Sequence, residues 1–252
     1  MAGHSHWASI KHKKGASDVK KGKAFSKIAR MITVAARKAG GDPDMNPRLQ
    51  LAIDKARAVN MPKENIERAI QKGTGDGSGE AELHECLYEG YGSQGVALLV
   101  EILTDNKNRT APEIRKIFDR YGGNLGDVGC VSWMFEKKGL IIVNAGNLDE
   151  DELMMLVLDK GAEDMQRVGD SFQITCSQTD LAIIKKALEA KNIKVESADI
   201  GWLPKTNIDL DETAGRKILK LMDALEEHDD VQNVYSNFNL PQSILAEMQS
   251  AK

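Results

Sequence analysis

Apolar residues recur every three to four positions through the first third of the chain, which is the spacing of one buried face of an α-helix. This pattern predicts a long helix over 16–40 that ends at the glycine pair Gly40–Gly41. A second helix begins at Asn46-Pro47, where a capping residue precedes a proline at the first helical position. A third begins around Pro62 and stops at Gly73. Three short helices with short connections predict a small bundle.

Beyond residue 82 the pattern changes, because short apolar runs bounded by turn residues replace the helical spacing. Two strands are predicted over Leu83–Tyr91 and Val96–Leu103. The run Thr110-Ala-Pro-Glu113 has the sequence of a capping box, which predicts that a helix opens there and ends at Tyr121. Residues 139–203 then follow the order strand, helix, strand, strand, helix, strand, which is the ferredoxin-like order.

The two strands that follow residue 82 lack enough partners of their own to bury a sheet, and residues 205–240 predict a further strand, helix and strand. We therefore predict an α+β multidomain fold, in which an N-terminal three-helix bundle is followed by two ferredoxin-like α/β domains, one inserted in the other. The predicted boundaries are 1–78 for a basic helical domain with a glycine-rich hinge, 79–132 plus 205–240 for an α/β domain, 133–204 for the inserted ferredoxin-like domain, and 241–252 for a tail.

Four glycines lie within the seven residues Gly73-Thr-Gly-Asp-Gly-Ser-Gly79. Such a segment predicts a flexible linker. The alternative, a loop that binds phosphate, needs a preceding strand and a following Gly-Lys-Ser/Thr. Here a helix precedes the glycines, and Asp76, Glu80 and Glu82 would repel phosphate. The composition therefore favours the linker.

The net charge of −4 over 252 residues conceals a division of charge along the chain. Residues 1–72 carry 16 Lys and Arg against 6 Asp and Glu, a balance of +10. Residues 73–252 carry 18 against 32, a balance of −14. Concentrated positive charge is typical of proteins that bind nucleic acid, because contact with the phosphates releases the counterions of the nucleic acid. The sequence thus joins a basic module to an acidic body.

The positive charge has two parts, a basic arm before the first helix and a basic face on that helix. In the arm, Trp7 either stacks on an unpaired base or anchors the arm onto the bundle, and the residue types leave both open. On the helix the cations, which include Arg37 and Lys38, fall opposite the apolar stripe. A helix face that carries only positive charge is typical of nucleic-acid contact, since a face that is simply solvated usually carries charges of both signs. The candidate nucleic-acid-binding residues are His4, His6, Trp7, Lys11, His12, Lys13, Lys14, Lys20, Lys21, Lys23, Lys27 and Arg30.

Other candidate chemistry is sparse. Asp105-Asn-Lys-Asn-Arg-Thr110 leads into a predicted helix, where Lys107 and Arg109 with backbone amides form either an anion site or an ordinary capped turn. The histidines of the arm have no cysteine or carboxylate at ligand spacing, so no metal site is predicted. Motifs of the GxSxG, HExxH and P-loop type are missing from the sequence, which predicts a protein that is not an enzyme and has no cofactor. A metal-dependent nuclease is a distant alternative.

The composition also bears on location. The longest apolar runs are far too short to span a bilayer, and the N-terminus has no uninterrupted apolar stretch, so neither membrane association nor a secretory signal is predicted. The Lys-rich N-terminus faintly resembles a transit peptide, although a mitochondrial presequence would be richer in Arg and Ser. Three cysteines without a CxxC pair fit reduced thiols in a cytoplasm.

Motifs spread along the chain resemble those of the YebC/PmpR family. They follow one another from residue 2 to about 238 without a large gap, and so many motifs in order make the resemblance very specific. The motifs are Ala2-Gly-His-Ser-His-Trp7, Lys11-His-Lys-Lys14, Gly41-Asp-Pro43, Asn46-Pro-Arg-Leu49, Asn60-Met-Pro-Lys-Glu-Asn-Ile-Glu-Arg-Ala-Ile70, Tyr88-Glu-Gly-Tyr-Gly92, Thr104-Asp-Asn-Lys-Asn-Arg-Thr110 and Gly122-Gly-Asn-Leu-Gly126.

The resemblance implies a cytoplasmic, DNA-binding transcriptional regulator, as bacterial members are described. Other members, mitochondrial ones among them, are described as translational activators that act at the ribosome, which implies ribosomal RNA as the alternative partner. Protein partners on the acidic α/β domains are a further expectation. The family usually has Lys where this chain has His6, which makes the contact of the arm partly dependent on pH. The contact residues carried over are Lys11, Lys13, Lys14, Lys20, Lys21, Lys23, Lys27 and Arg30.

Overall fold

The computed structural model describes residues 18–75 and 82–250, with side chains described for 22–75 and 82–248. The predicted fold class is confirmed, because N-terminal helices are followed by strand-containing domains in an α+β arrangement. Most of the predicted linker lies outside the described residues. In chain order the elements are α1 (Asp18–Ala39), α2 (Pro47–Ala58), α3 (Lys63–Thr74), β1 (His84–Tyr91), β2 (Ala97–Thr104), α4 (Lys107–Arg120), β3 (Asn124–Leu125), β4 (Phe135–Asn144), α5 (Glu150–Asp159), β5 (Ala162–Val168), β6 (Ser171–Cys176), α6 (Leu181–Ala190), β7 (Val195–Pro204), β8 (Ile208–Asp209), α7 (Glu212–Glu227), β9 (Val231–Ser236), β10 (Phe238–Asn239) and α8 (Gln242–Ser250).

The buried side chain of Asn46 ties the end of α1 to the start of α2. Its Oδ1 accepts a hydrogen bond from the Leu49 amide at 3.1 Å, which caps α2. Its Nδ2 donates to the carbonyls of Ala35 and Gly40 at 2.9 and 2.8 Å, at the C-terminal end of α1. One side chain therefore satisfies backbone groups that both helix ends would otherwise leave without partners.

Helices α1 and α3 cross closely because Gly73 has no side chain. A Cβ at this position would lie 2.4 Å from the carbonyl oxygen of Thr33 and 2.7 Å from the Cβ of Ala36. The Thr33 hydroxyl donates to the carbonyl of Ala69 at 3.1 Å, which joins the two helices a second time. The core of the bundle consists of small and branched side chains, among them Ile32, Leu49, Ala52, Ile53 and Ala56.

The first sheet has the strand order β3-β1-β2-β9, and every neighbouring pair is antiparallel. Strand β9 pairs with β2, so segments on both sides of 133–204 contribute to one sheet. Alternate residues of β2, Leu98 and Val100 among them, face α4 and α7 and form a core with Phe118. The segment 241–252, which the sequence assigned to a tail, contains α8, and Ile244 of α8 joins this core.

The second sheet, formed by residues 135–204, has the strand order β5-β6-β4-β7. Its elements follow the ferredoxin-like order that the sequence predicts. Strand β4 pairs antiparallel with both β6 and β7. Helices α5 and α6 pack on this sheet, since Leu153 and Leu181 join Ile141 and Ile174 in a single core.

The two sheets meet on the reverse face of β2. There Leu99 belongs to a small core that includes Phe135 of β4. Glu101 accepts hydrogen bonds from Trp202 Nε1 at 3.1 Å and from the Tyr235 hydroxyl at 3.2 Å. Burial and the carboxylate of Glu101 hold the pKa of Tyr235 well above its ordinary value, so the phenol stays protonated and remains a donor.

The prediction that Thr110 opens α4 is wrong. The helix begins at Lys107 and is capped by Asn106, whose Oδ1 accepts from the Arg109 amide at 3.1 Å. A capping box needs Glu113 to reach back to the cap. Glu113 instead lies 3.0 Å from Nε2 of His228, and Thr110 is buried inside the helix. The sequence holds two cap-forming residues four positions apart, and tertiary contacts decide between them.

Candidate nucleic-acid interface

The predicted basic arm, with His4, His6, Trp7, Lys11, His12, Lys13 and Lys14, lies outside the described residues. Lys20 and Lys21 belong to the first turns of α1, where only the backbone is described. Of the predicted contact residues on the basic helix, the structure therefore gives side-chain positions for Lys23, Lys27 and Arg30.

These three cations contact the turn that follows α7, although the side chain of Lys23 remains half exposed. Lys23 Nζ donates to the Glu227 carbonyl at 3.1 Å and lies 3.7 Å from the Asp229 carboxylate. Lys27 Nζ donates to the Glu226 carbonyl at 2.6 Å. Cations are favoured at such a position, because carbonyls at the C-terminal end of a helix carry partial negative charge. The basic face of α1 thus serves as a contact between domains.

Asp230 is the centre of this contact and is only 2% exposed. Its carboxylate accepts hydrogen bonds from Arg30 and Arg109, each at 2.8 Å. The hydroxyls of Thr104 and Thr110 donate to it at 3.0 and 2.7 Å. Burial acts to raise the pKa of Asp230, but these four donors outweigh it and lower the pKa to about 2. A carboxylate that is ionised at neutral pH therefore joins α1 to α4.

The predicted anion site at the start of α4 is engaged within the protein itself. Arg109 binds Asp230 and also the carboxylate of Asp105 at 3.0 Å. Lys107 is exposed in the first turn of α4 and stands apart from this pair of contacts. The structure therefore supplies Arg109 with two carboxylate partners, of which Asp105 has the i,i+4 spacing of a local ion pair and Asp230 is indicated by no spacing rule.

Further ion pairs hold the bundle against both sheets. Glu85 of β1 pairs with Lys38 of α1 and with Arg48 of α2. On the other side, the pairs Lys55–Asp199 and Lys185–Asp54 each join α2 to the second sheet unit. The basic domain therefore docks on its acidic neighbours through charges that are complementary along the whole contact.

This docking uses most of the positive charge of the bundle. Among the cations of 22–75, Arg57 and Lys63 pair with acidic residues on their own helices, and Lys72 is also engaged. Arg37 and Arg68 are the exceptions, since neither has a carboxylate partner within the part of the chain that the structure describes. Arg37 lies on the predicted basic face but is not among the predicted contact residues, and Arg68 is absent from them although it lies within one of the family motifs.

A second ionised carboxylate, Glu89, was also missed. It is 3% exposed and accepts hydrogen bonds from the amides of Gly129, Val131 and Ser132 at 2.7 to 2.8 Å. Burial acts to raise the pKa of Glu89, but the backbone donors prevail and lower it. Glu89 therefore fixes the loop 126–134 to β1, and a structural role accounts for all of its contacts.

Within 18–75 and 82–250, no group of three or more His, Cys, Asp or Glu side chains is placed to hold a metal ion. None of the helices described there is long and apolar enough to cross a membrane. The three cysteines are free thiols, and burial raises the pKa of Cys176 to about 11. A thiol with such a pKa stays protonated and is a poor nucleophile.

Two family descriptions together match most of the chain. Residues 5–76 match the TACO1/YebC protein N-terminal domain, and residues 83–238 match the TACO1/YebC second and third domain. The gap between these matches, residues 77–82, overlaps the end of the predicted glycine-rich linker 73–79.

Curated relatives extend the match over the full length. A protein of Halothermothrix orenii named "Probable transcriptional regulatory protein" is 53% identical over 98% of this chain and 99% of its own. One of Desulfotalea psychrophila, with the same description, is 52% identical over 98% of this chain and 99% of its own. The crystal structure of a conserved hypothetical protein from Aquifex aeolicus has a TM-score of 0.87 at 47% identity, covering 95% of this chain and 99% of that one. The curated relatives described above are named as probable transcriptional regulatory proteins. These matches, with which the fold and the charge division agree, show that the chain belongs to the TACO1/YebC family.

Proposed function

We propose that this protein is a non-enzymatic regulator of gene expression that binds nucleic acid through its N-terminal domain, with DNA as the primary target. The observation that carries the proposal is the charge division, +10 over residues 1–72 against −14 over the rest. Positive charge at this density binds phosphate by releasing counterions. The names of the relatives support a role in transcription.

The contacts within the protein refine the choice of binding residues. Lys23, Lys27 and Arg30 already bind carbonyls and carboxylates of 226–230, so phosphate would have to displace those groups. We assign the three to positioning the domain. The phosphate contacts then fall to the arm and the start of α1, namely His4, His6, Trp7, Lys11, His12, Lys13, Lys14, Lys20 and Lys21.

The acidic body has a complementary role in this proposal. Its excess of carboxylates repels phosphate, which restricts nucleic acid to the basic domain. The same surface is available for protein partners in a cytoplasmic regulatory complex. The proposal requires no catalytic group. The buried carboxylates Asp230 and Glu89 both accept hydrogen bonds that hold the structure together.

Binding is tested with the full chain and a fluorescent duplex, measured by anisotropy between 50 and 200 mM salt, a range over which several phosphate contacts weaken affinity by orders of magnitude. The variant Lys11→Ala/Lys13→Ala/Lys14→Ala should bind far more weakly, with a log–log salt slope smaller by about 0.9 per lost contact. The matched control is Lys186→Ala/Lys191→Ala/Lys194→Ala, which removes three exposed lysines from the acidic body. Equal effects of the two variants, or a wild-type protein that binds neither DNA nor RNA, would refute the proposal.

Ribosomal RNA is the alternative target, because the same arm can follow RNA phosphates. The absence of a heptad repeat in the sequence favours it, since regulators of palindromic sites usually bind as dimers. Crosslinking in cells, followed by sequencing of bound DNA and RNA, distinguishes the two. Enrichment of ribosomal RNA without promoter DNA would replace transcription by translation in the proposal.

A further inference from the structure

A groove of about 530 Å³ runs between α1 and α3, close to where the bundle meets β1 and α4. Its floor is made of small side chains such as Ala29 and Ala69, at the close helix crossing that Gly73 permits. Its walls carry Arg37 from α1 and Arg68 from α3, both exposed. The groove therefore places two guanidinium groups on opposite helices around one concave surface.

Among the described residues of the bundle, Arg37 and Arg68 are the two cations that take no part in its ion pairs and hydrogen bonds. Every other cation described between 22 and 75 takes part in a hydrogen bond, an ion pair or another electrostatic interaction. Arg37 and Arg68 have no such partner among the described residues, yet both line the same groove. Two guanidiniums without carboxylate partners among the described residues make this lining positively charged, which attracts an anion. The arrangement is that of a site for an anionic ligand.

The other residues that line the groove indicate the chemistry of the rest of that ligand. Phe25 and Leu83 are partly buried and give the groove apolar surface, whereas Met61 is buried in the bundle core beneath it. Asn65 contributes an amide that can both donate and accept hydrogen bonds. Asp105, which also lines the groove, is paired with Arg109, so its charge is offset. Cationic walls beside an aromatic ring and an amide match a molecule that joins phosphate to a flat heteroaromatic base.

We propose that this groove binds a short unpaired single strand, with one backbone phosphate at Arg37, another at Arg68, and a base against Phe25. The inference rests on the proposed function, because it specifies the form of nucleic acid that the basic domain engages. Guanidiniums suit phosphate oxygens because their planar fork of donors matches them in two-point contacts. Aromatic side chains accept any base, since every base has a face that stacks.

A duplex fits the groove less well. Its bases are stacked in the interior, so it can bring phosphates to the two arginines but leaves the apolar surface of Phe25 and Leu83 uncovered. A cleft between two packed helices, whose axes lie only about 8–10 Å apart, is also narrow for a double helix. An unpaired strand satisfies both the charged and the apolar parts of the lining.

The test uses the full chain with three fluorescent probes of one sequence: a 12-nucleotide single-stranded RNA, the same single-stranded DNA, and the DNA duplex. The variant Arg37→Ala/Arg68→Ala should lose about tenfold in single-strand affinity per arginine, the size of a charge-assisted hydrogen bond. The log–log salt slope of its single-strand binding should be smaller by about 1.4, because two phosphate contacts are lost and each contributes roughly 0.7 on single strands. The control Arg57→Ala/Arg115→Ala removes two exposed arginines outside the groove and should change affinity little. Phe25→Leu should weaken single-strand binding about fivefold or more while leaving the salt slope unchanged.

The outcomes separate the groove from the proposed function. Equal losses in the arginine variant and its control, or wild-type binding that the groove variants leave intact, overturn the groove and leave the basic domain as the binding module. Wild-type preference for duplex over both single strands overturns the unpaired strand as ligand. Failure of the wild-type chain to bind any of the three probes overturns the proposed function together with the inference. Far-UV circular dichroism of each variant verifies that the helices remain folded.

Discussion

The contact at Asp230 predicts a specific loss of stability in the variant Asp230→Asn. The substitution keeps the shape of the side chain but removes the charge that Arg30 and Arg109 share. An amide offers one acceptor oxygen and two N–H donors, which would point at guanidinium and hydroxyl donors. The contact between α1 and α4 should therefore weaken, although neither helix loses packing.

The magnitude follows from the pKa of the carboxylate. A fall from the ordinary value of 3.8 to about 2 in the folded protein corresponds to about 2.5 kcal/mol of preference for the ionised form. Arg30 and Arg109 are 36% and 45% exposed, so solvent screens part of this interaction. We expect Asp230→Asn to lower the free energy of unfolding by about 2 kcal/mol at pH 7.

The dependence on pH has a definite sign. Because the pKa of Asp230 is lower in the folded than in the unfolded chain, the unfolded chain binds more protons between pH 4 and pH 2. The stabilisation is therefore complete above about pH 4 and is lost as the pH falls towards 2. The difference in stability between the wild-type protein and Asp230→Asn should shrink over the same interval.

Urea unfolding of both proteins at pH 7, 4 and 2.5, followed by circular dichroism, measures this difference. Asp119→Asn is the matched control, because it neutralises an exposed carboxylate on α4. The double variant Arg30→Met/Asp230→Asn shows the coupling across the domain contact, and its cost should be less than the sum of the single costs. A cost of Asp230→Asn equal to that of Asp119→Asn, or independent of pH, would show that the carboxylate does not hold the contact.

Three further predictions concern other parts of the structure. Gly73→Ala places a methyl group 2.4 Å from the Thr33 carbonyl and should cost about 1–3 kcal/mol, measured as a lower unfolding midpoint; an unchanged midpoint contradicts the close crossing. Glu89→Gln leaves the amides of the loop 126–134 with a weaker partner and should cost about 1–3 kcal/mol, with faster amide exchange at Val131, whereas unaltered exchange excludes an anchoring role. A fragment that begins at Glu80 should unfold cooperatively on its own cores yet bind no nucleic acid, and binding equal to that of the full chain would place the site outside the basic domain.

Several elements could be predicted from the sequence because their signals are local. The helix predicted within 205–240 is present as α7, since Asp211 caps it and its buried positions keep helical spacing. Asn46-Pro47 opens α2 for the same kind of reason. The division of charge between the basic module and the acidic body is also a property of the sequence alone, because it depends on counting residues and on no contact.

The contacts of those charges could not be predicted, because the partners are far apart in the chain. Arg30 and Asp230 are separated by 200 residues, and Thr104 and Thr110 complete their network from a third place. Amphipathic spacing shows that the cations of α1 avoid the core, but it does not show whether water, phosphate or another domain lies opposite them. Only the packing of the bundle against the acidic body decided that, and among the described residues it left Arg37 and Arg68 without partners around one groove.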